Sequence, residues 1–189
     1  MCIRDSLMPE TVLGYASPAK DILIDPAVLQ GRIAEVGRQI ETDYADKELV
    51  LVCILKGGVL FLTDLMRAIH IPHAIDFMAV SSYGVGARES TGVVRIIMDL
   101  ERDIRGKHVL LVEDIIDSGR TLYYICEVLN ARGPASLKIC TLLDKYERRE
   151  VEVPLDYVGF HIPNEFVFGY GLDLDELYRN LPFIGVVRD

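Results

Sequence analysis

Residues 109–122, VLLVEDIIDSGRTL, constrain the fold of this chain more than any other stretch of its sequence. The apolar run at 109–112 is typical of a buried strand, and a helical pattern follows residue 121. Two acids, Glu113 and Asp114, and a polar turn lie between them. The carboxyl end of a parallel strand is where open α/β sheets bind ligands. The segment therefore predicts a strand, a tight turn and a helix N-terminus beside a ligand site.

The chemistry of this turn indicates a sugar phosphate as the ligand. A helix N-terminus offers free backbone N–H groups and the positive end of its dipole to a phosphate. The turn residues that can form such a cradle are Ser118, Gly119, Arg120 and Thr121. Glu113 and Asp114 can accept hydrogen bonds from ribose hydroxyls, or they can help to hold a hard cation. The alternative is a solvated acidic turn in which Asp117 or Ser118 is an ordinary N-cap.

Length and composition predict a single α/β domain over residues 1–189. A chain of 189 residues that is 50% hydrophobic can bury a sizeable core but is too short for two comfortable domains. The net charge of −9 argues against nucleic acid as a partner, and no apolar run approaches the ~20 residues of a membrane span. Residues 1–6 do not fit any element, and nothing depends on them.

The four cysteines predict a reducing, cytoplasmic compartment. Cys2, Cys53, Cys126 and Cys140 show no C-x-x-C spacing, and three of them lie inside apolar runs. Small buried thiols of this kind are typical of proteins without a disulfide framework or a zinc site.

The order of elements predicts a mostly parallel, twisted sheet with helices on both faces. A strand at 21–24 precedes a helix that Asp25 caps and that buries Leu29, Ile33, Val36, Ile40 and Tyr44 on one face. Further strands are expected at 49–55, 73–80, 93–99 and 137–143, and further helices at 59–70 and 121–131. The tail at 157–189 reads as strand-poor, and we expect it to form a small cap together with the N-terminal segment.

Two further groups are expected at the same sheet edge, and one long loop is a candidate lid. Lys56-Gly57-Gly58 follows the strand at 49–55, where glycine lets the backbone approach an anion and the lysine adds charge. Lys145 follows the strand at 137–143. The loop at 81–92 contains Ser82 and Tyr83 and is long enough to be a lid or a disordered segment.

The segment at 109–122 resembles the phosphoribosyl pyrophosphate (PRPP) motif of phosphoribosyltransferases. The other motifs occur in one order and extend the resemblance to the hypoxanthine(-guanine) phosphoribosyltransferases, a branch of the type I phosphoribosyltransferase family. They are Lys56-Gly57-Gly58, Ser82-Tyr83-Gly84, Asp144-Lys145, the stretch at 157–163, Phe166-Val167, the stretch at 169–173, and Arg179. The resemblance covers about residues 12–187.

The resemblance implies roles for individual residues. PRPP would be held by Lys56, Gly57, Glu113, Asp114, Asp117, Ser118, Gly119, Arg120, Thr121 and Arg179, and the purine by Lys145, Phe166, Val167 and Asp173. Asp117 would be the catalytic proton acceptor, Glu113, Asp114 and Asp173 would assist Mg²⁺, and Ser82 and Tyr83 would belong to a lid. The peptide between Leu55 and Lys56 would be cis. A homo-oligomer, dimer or tetramer, is also expected.

The implied reaction is transfer of the phosphoribosyl group of PRPP to hypoxanthine or guanine in purine salvage. A lysine ammonium only donates hydrogen bonds, so Lys145 suits a 6-oxo group and not the amino group of adenine. Two alternatives stay open: a phosphoribosyltransferase for another base, such as xanthine or uracil, and a PRPP-sensing regulatory protein. The acidic charge and the intact Asp117 count against the regulatory protein.

Overall fold

The computed structural model describes the backbone of residues 11–12, 15–16, 19–83 and 90–187, and the side chains of residues 21–81 and 94–187. The strands are β1 Thr11–Val12, β2 Tyr15–Ala16, β3 Ala19–Ile24, β4 Leu49–Leu55, β5 His73–Tyr83, β6 Ser90–Met98, β7 His108–Ile116, β8 Ser136–Asp144, β9 Tyr157–His161, β10 Val167–Phe168 and β11 Ile184–Val187. The helices are α1 Pro26–Asp43, α2 Val59–Ala68 and α3 Arg120–Asn130, and a 3₁₀ turn spans Tyr146–Arg148.

The main sheet has six strands in the order β6-β5-β4-β7-β8-β9. All neighbouring pairs are parallel except β5 and β6. Successive side chains of β4 lie on opposite faces of the sheet and belong to two different cores. Leu51 packs in the core with α1 and α2, whereas Val52 packs in the core with α3. Because both faces of β4 are buried, the strand reads as a continuous apolar run. The predicted mostly parallel α/β fold with helices on both faces is confirmed.

Helix α1 begins where the sequence predicts. Oδ1 of Asp25 accepts hydrogen bonds from the N–H groups of Ala27 and Val28, at 2.9 and 3.1 Å. A proline is tolerated at the first helical position, because a backbone N–H there would have no acceptor within the helix. The predicted apolar face is buried throughout, from Leu29 to Tyr44. Local capping and a regular 3.6-residue period therefore define this helix from its sequence alone.

The expectation that the tail from residue 157 is strand-poor is wrong. β9 extends the main sheet beside β8, and β10 and β11 form a second sheet with β3. Short strands without a long apolar run leave little periodicity to detect, and their pairing partners lie far away in the chain. The N-terminal segment does join the tail, since β11 pairs with β3.

The two strands that flank the predicted loop at 81–92 extend into it. β5 continues to Tyr83 and β6 starts at Ser90, because backbone pairing between Tyr83 and Ser90 extends the antiparallel ladder past the apolar residues. The centre of the predicted lid, residues 84–89, lies outside the described residues, as do the side chains of Ser82 and Tyr83. Within the described part of the chain, no helix is long and apolar enough to cross a bilayer.

Candidate active site

A cavity of about 410 Å³ opens at the carboxyl edge of the main sheet. It lies at the ends of β4 and β7, beside the turns that follow them and a segment of the tail. Ten residues that the sequence predicts for the site line this cavity: Lys56, Gly57, Glu113, Asp114, Asp117, Ser118, Gly119, Thr121, Asp173 and Arg179. The fold therefore brings three distant parts of the chain into one site.

The phosphate turn, residues 117–121, joins β7 to α3. Gly119 holds the cap position of the helix with a φ of 83°, a conformation that favours glycine. A Cβ there would lie 2.7 Å from the carbonyl oxygen of Val151. Gly119 itself has no side chain to cap α3, and the N–H of Arg120 donates a long hydrogen bond, 3.4 Å, to Oγ of Ser118. The next backbone N–H groups of the first turn are available to an anion. Gly119, and not Asp117 or Ser118, therefore occupies the N-cap position.

The segment at residues 148–151, between β8 and β9, covers the phosphate turn. The N–H groups of Glu150 and Val151 both donate to the carbonyl oxygen of Ser118, at 3.0 and 3.1 Å. The guanidinium of Arg120 pairs with the carboxylate of Glu150 at 2.6 Å. The side chain of Arg120 is thus engaged with this segment, and Arg120 does not line the cavity. These bonds fix the backbone of the turn.

Two glycines allow the turn after β4 to approach the acids of β7. A Cβ built on Gly57 would lie 1.6 Å from Oδ2 of Asp114, so no other residue fits without moving that carboxylate. On the other side, Gly171 has a φ of 99°, and a Cβ there would lie 2.2 Å from the carbonyl oxygen of Gly57. The peptide between Leu55 and Lys56 is cis, as predicted. The turn after β4, the end of β7 and the segment around Gly171 therefore meet at Gly57.

Glu113 and Asp114 are consecutive residues near the end of β7, and both are half-buried. Burial, and then the neighbouring charge of Asp114, raise the pKa of Glu113 well above its ordinary value. Burial also raises the pKa of Asp114 to about 6, against hydrogen bonds from backbone N–H groups and the charge of Arg179, which lower it. Oε2 of Glu113 is buried without a hydrogen-bond partner. The pair is therefore suited to accept hydrogen bonds or bind a cation.

Asp117 has one engaged and one unengaged carboxylate oxygen. Oδ2 lies 3.2 Å from Nη1 of Arg148. Oδ1 is buried and has no hydrogen-bond partner. Sequence analysis missed Arg148, although the run of four charges at 147–150 was an available signal. An ion pair on one oxygen orients the carboxylate, and the other oxygen is left to accept a proton or a hydrogen bond.

A group of charges faces the turn after β4. Nη2 of Arg179 lies 2.7 Å from Oδ1 of Asp173, and Nη1 donates to the carbonyl oxygen of Gly171 at 2.8 Å. Nζ of Lys56 lies 2.8 Å from Oε2 of Glu176. Glu176 was not among the predicted site residues, and its place between Asp173 and Arg179 in the sequence was the only local signal.

Lys145, Phe166 and Val167 lie outside the residues that line this cavity. Lys145 follows β8, and its N–H donates to the carbonyl oxygen of Ile116 at the end of β7, at 3.0 Å. Burial lowers the pKa of Lys145, while the charge of Asp117 raises it. The side chain of Phe166 is exposed, whereas Val167 is buried in β10. Lys145 is thus tied to the phosphate turn, and the aromatic ring remains free to contact a ligand.

Asp144, beside Lys145, is buried and contacts an arginine and a histidine. Its carboxylate pairs with Arg149 and lies 3.0 Å from Nδ1 of His161. Arg149 also packs against the phosphate turn, since its Cδ lies 3.0 Å from the Cβ position of Gly119. These contacts connect the end of β8 to the phosphate turn.

The predicted metal ligands were Glu113, Asp114 and Asp173, and all three line the cavity. In the described part of the chain, no three His, Cys, Asp or Glu side chains form a group that could hold a metal ion by themselves.

The fold and this site define a class of protein: an α/β protein that binds a phosphorylated, hydroxyl-bearing ligand at the carboxyl edge of a parallel sheet. The phosphoribosyl transferase domain family matches residues 19–175. Hypoxanthine phosphoribosyltransferase of Salmonella typhimurium is 54% identical over 169 residues, which cover 88% of this chain and 94% of that protein. Hypoxanthine-guanine phosphoribosyltransferase of Mycobacterium avium is 50% identical over 179 residues, covering 92% and 88%.

A crystal structure of a hypoxanthine phosphoribosyltransferase from Staphylococcus aureus has a TM-score of 0.86 and 49% identity, covering 90% of this chain and 92% of that one. The chain belongs to the hypoxanthine(-guanine) phosphoribosyltransferase branch of the phosphoribosyltransferase family.

Proposed function

We propose that this protein transfers the phosphoribosyl group of PRPP to hypoxanthine or guanine, forming the nucleoside 5′-monophosphate and pyrophosphate. The observation that carries the proposal is the single cavity that unites the phosphate turn, the paired acids and the Lys56-Gly57 turn. The relatives that are about half identical to this chain carry the corresponding names. Neither alternative, another base or a regulatory role, has a comparable observation in its favour.

PRPP binds along the cavity with its three charged or polar parts on three groups of residues. The 5′-phosphate accepts hydrogen bonds from the backbone N–H groups and hydroxyls at 118–121. Glu113 and Asp114 accept hydrogen bonds from the ribose hydroxyls, directly or through water. The pyrophosphate lies against Lys56, Gly57 and Arg179, where two positive charges oppose its negative charge.

The residues of the site fit Mg²⁺ as the cofactor. Mg²⁺ takes oxygen ligands and is usually held by one or two carboxylates together with water and substrate phosphates. Glu113 and Asp114 offer carboxylate oxygens, one of them buried without a partner, and Asp173, in the same cavity, would help to hold a second ion. When bound, Mg²⁺ offsets the negative charge of the departing pyrophosphate.

Asp117 is the proposed proton acceptor. As one imidazole nitrogen of the purine bonds to the anomeric carbon, the proton of the other nitrogen, N7, transfers to the unengaged Oδ1 of Asp117. The bond from the anomeric carbon to pyrophosphate breaks, and the electron pair leaves with the pyrophosphate. Arg148 holds the second oxygen of the carboxylate and acts as a positioning residue.

Lys145, Phe166 and Val167 select the base. The Lys145 ammonium donates to the 6-oxo oxygen of hypoxanthine or guanine and would meet only a second donor in adenine. The Phe166 ring stacks on the purine, and the Val167 backbone bonds to its edge. Xanthine also carries a 6-oxo group, so these residues alone do not separate it from the other two bases.

Incubation with PRPP, MgCl₂ and one base at a time, followed by identification of the nucleotide, tests this proposal. The expected products are IMP from hypoxanthine and GMP from guanine, with little AMP from adenine. Dominant formation of XMP or UMP would favour the other-base alternative. PRPP binding without turnover of any base would favour the regulatory protein.

We also propose that residues 1–189 act as one domain, with residues 157–189 contributing the base-binding cap, in a cytoplasmic homo-oligomer, a dimer or a tetramer. The pairing of β11 with β3 supports the cap, since it ties the tail to the N-terminal segment. The free thiols of Cys53, Cys126 and Cys140 are consistent with a reducing compartment. Light scattering of the purified protein measures the number of subunits.

A further inference from the structure

Glu176 contacts both cations that face the proposed pyrophosphate position. Its Oε2 lies 2.8 Å from Nζ of Lys56 and 3.5 Å from Nη2 of Arg179. Lys56 and Glu176 are 120 positions apart in the sequence, so the contact is produced by the fold. One carboxylate oxygen therefore bridges two positive charges that, under the proposed function, serve an oxygen of the substrate. Glu176 shares Arg179 with Asp173, whose Oδ1 lies 2.7 Å from the same Nη2, so Lys56 is the principal partner of Glu176.

The turn that carries Glu176 is well defined. Leu174 and Leu177 exchange two backbone hydrogen bonds, both 3.1 Å long. The N–H of Glu176 donates to Oδ2 of Asp173 at 2.9 Å, and its φ is 65°, in the left-handed region. This tight turn presents the carboxylate to Lys56 and Arg179. The charged partners lower the pKa of Glu176, Lys56 more than Arg179, so the carboxylate is ionised at neutral pH.

The contact is nevertheless weak enough to be displaced. The side chains of Lys56 and Glu176 are 68% and 66% exposed. Exposed ion pairs of this kind contribute little to stability, because water screens both charges. A pyrophosphate carries several negative charges and binds the same cations together with a divalent ion, so it is the stronger competitor.

We propose that Glu176 is an internal competitor for pyrophosphate: its carboxylate holds Lys56 and Arg179 when no pyrophosphate is bound, and it must release them for PRPP to bind. The inference rests on the proposed function, because that function makes these two cations the pyrophosphate ligands. After the reaction, the same carboxylate takes the two cations back and so favours release of pyrophosphate. Glu176 is thus a positioning residue that acts through Lys56 and Arg179.

The substitution Glu176→Gln tests this competition, since glutamine keeps the shape of the side chain and removes its charge. Asp175→Asn is the matched control: it removes the same charge one residue away, at a residue that also has a positive φ and that forms no ion pair with the described residues. Calorimetric titration with pyrophosphate and MgCl₂ should give a Kd that is roughly two- to fivefold lower for Glu176→Gln, the equivalent of one exposed ion pair. The KM for PRPP should fall by a similar factor, and the KM for hypoxanthine should not change.

A second comparison separates competition from general electrostatics. In a Lys56→Gln background, the effect of Glu176→Gln should be at least halved, because the principal partner of the carboxylate is gone. An unchanged or raised Kd in Glu176→Gln, or an equal gain in Asp175→Asn, would overturn the inference while leaving the proposed function intact. A wild-type protein that binds neither pyrophosphate nor PRPP would overturn both.

Discussion

Oδ2 of Asp114 lies 1.6 Å from the position that a Cβ on Gly57 would occupy, so the acid of β7 fills the space that glycine leaves beside β4. The pair joins two parts of the proposed PRPP site, the pyrophosphate turn and the ribose acids. A side chain larger than glycine at position 57 would therefore have to displace the Asp114 carboxylate. The contact therefore sets the distance between the two halves of the site.

Gly57→Ala should weaken PRPP binding by roughly tenfold or more, because the new methyl group must displace the Asp114 carboxylate or the turn. Gly31→Ala is the control, since a Cβ at this exposed position of α1 meets nothing within 4 Å. It should stabilise the helix by about 1 kcal/mol and leave the KM for PRPP unchanged. Steady-state kinetics and thermal unfolding of both variants give the answer, and a normal KM in Gly57→Ala would contradict the proposed geometry.

Asp117→Ala should lower kcat by ~10²–10⁴, the usual contribution of a general base. The Kd for PRPP should change far less, because the backbone of the phosphate turn is bonded to the segment at 148–151 and not to the Asp117 side chain. Glu152→Ala, which changes an exposed acid near that segment, serves as the control. A collapse of PRPP binding with nearly normal residual turnover would rule out the proton-transfer role.

Lys145→Gln should reduce the preference for hypoxanthine over adenine. A hydrogen bond to a charged donor contributes about 1.5–3 kcal/mol, so kcat/KM for hypoxanthine should fall roughly tenfold or more. Lys138→Gln is the control, because it makes the same change of charge at the other end of β8, away from the site. Equal use of adenine and hypoxanthine by the wild-type protein would show that Lys145 does not read the base.

Asp114→Asn should make the ligand-free protein more stable at pH 7.5, because it removes a partly buried negative charge. The pKa of Asp114 is about 6 in the folded protein against 3.8 for the ordinary group. The folded state therefore binds the Asp114 proton more tightly than the unfolded state does. The stability that this proton contributes is complete below about pH 4 and is lost as the pH rises through about 6. Asparagine does not ionise, so the variant does not lose this stability as the pH rises.

Thermal unfolding of wild type and Asp114→Asn between pH 4 and 8 measures the effect. The melting temperature of the variant should exceed that of wild type by a few degrees at pH 7.5, and the difference should shrink towards pH 4. The variant should also bind PRPP more weakly, since an amide is a poorer acceptor for ribose hydroxyls than a carboxylate. A difference in melting temperature that does not depend on pH would show that Asp114 is not the titrating group.

The parts of this protein that were predicted correctly are those encoded by contiguous residues. A cap and a helical period define α1, an unbroken apolar run defines β4, and the motif at 109–122 places two acids and an anion turn at the end of β7. Each signal depends on neighbours within a few positions, where backbone geometry leaves few alternatives. The same local motif was sufficient to indicate the class of ligand.

Tertiary structure alone decided which distant groups meet. The contacts of Gly57 with Asp114 and of Lys56 with Glu176, the ion pair of Arg148 with Asp117, and the place of β9 in the main sheet all join segments far apart in the chain. No local pattern encodes such contacts, because they depend on how the strands are ordered and how the tail crosses their ends. The amino-acid sequence alone thus determined the elements and the kind of ligand, while packing decided which charges face each other and which carboxylate oxygens remain without a partner.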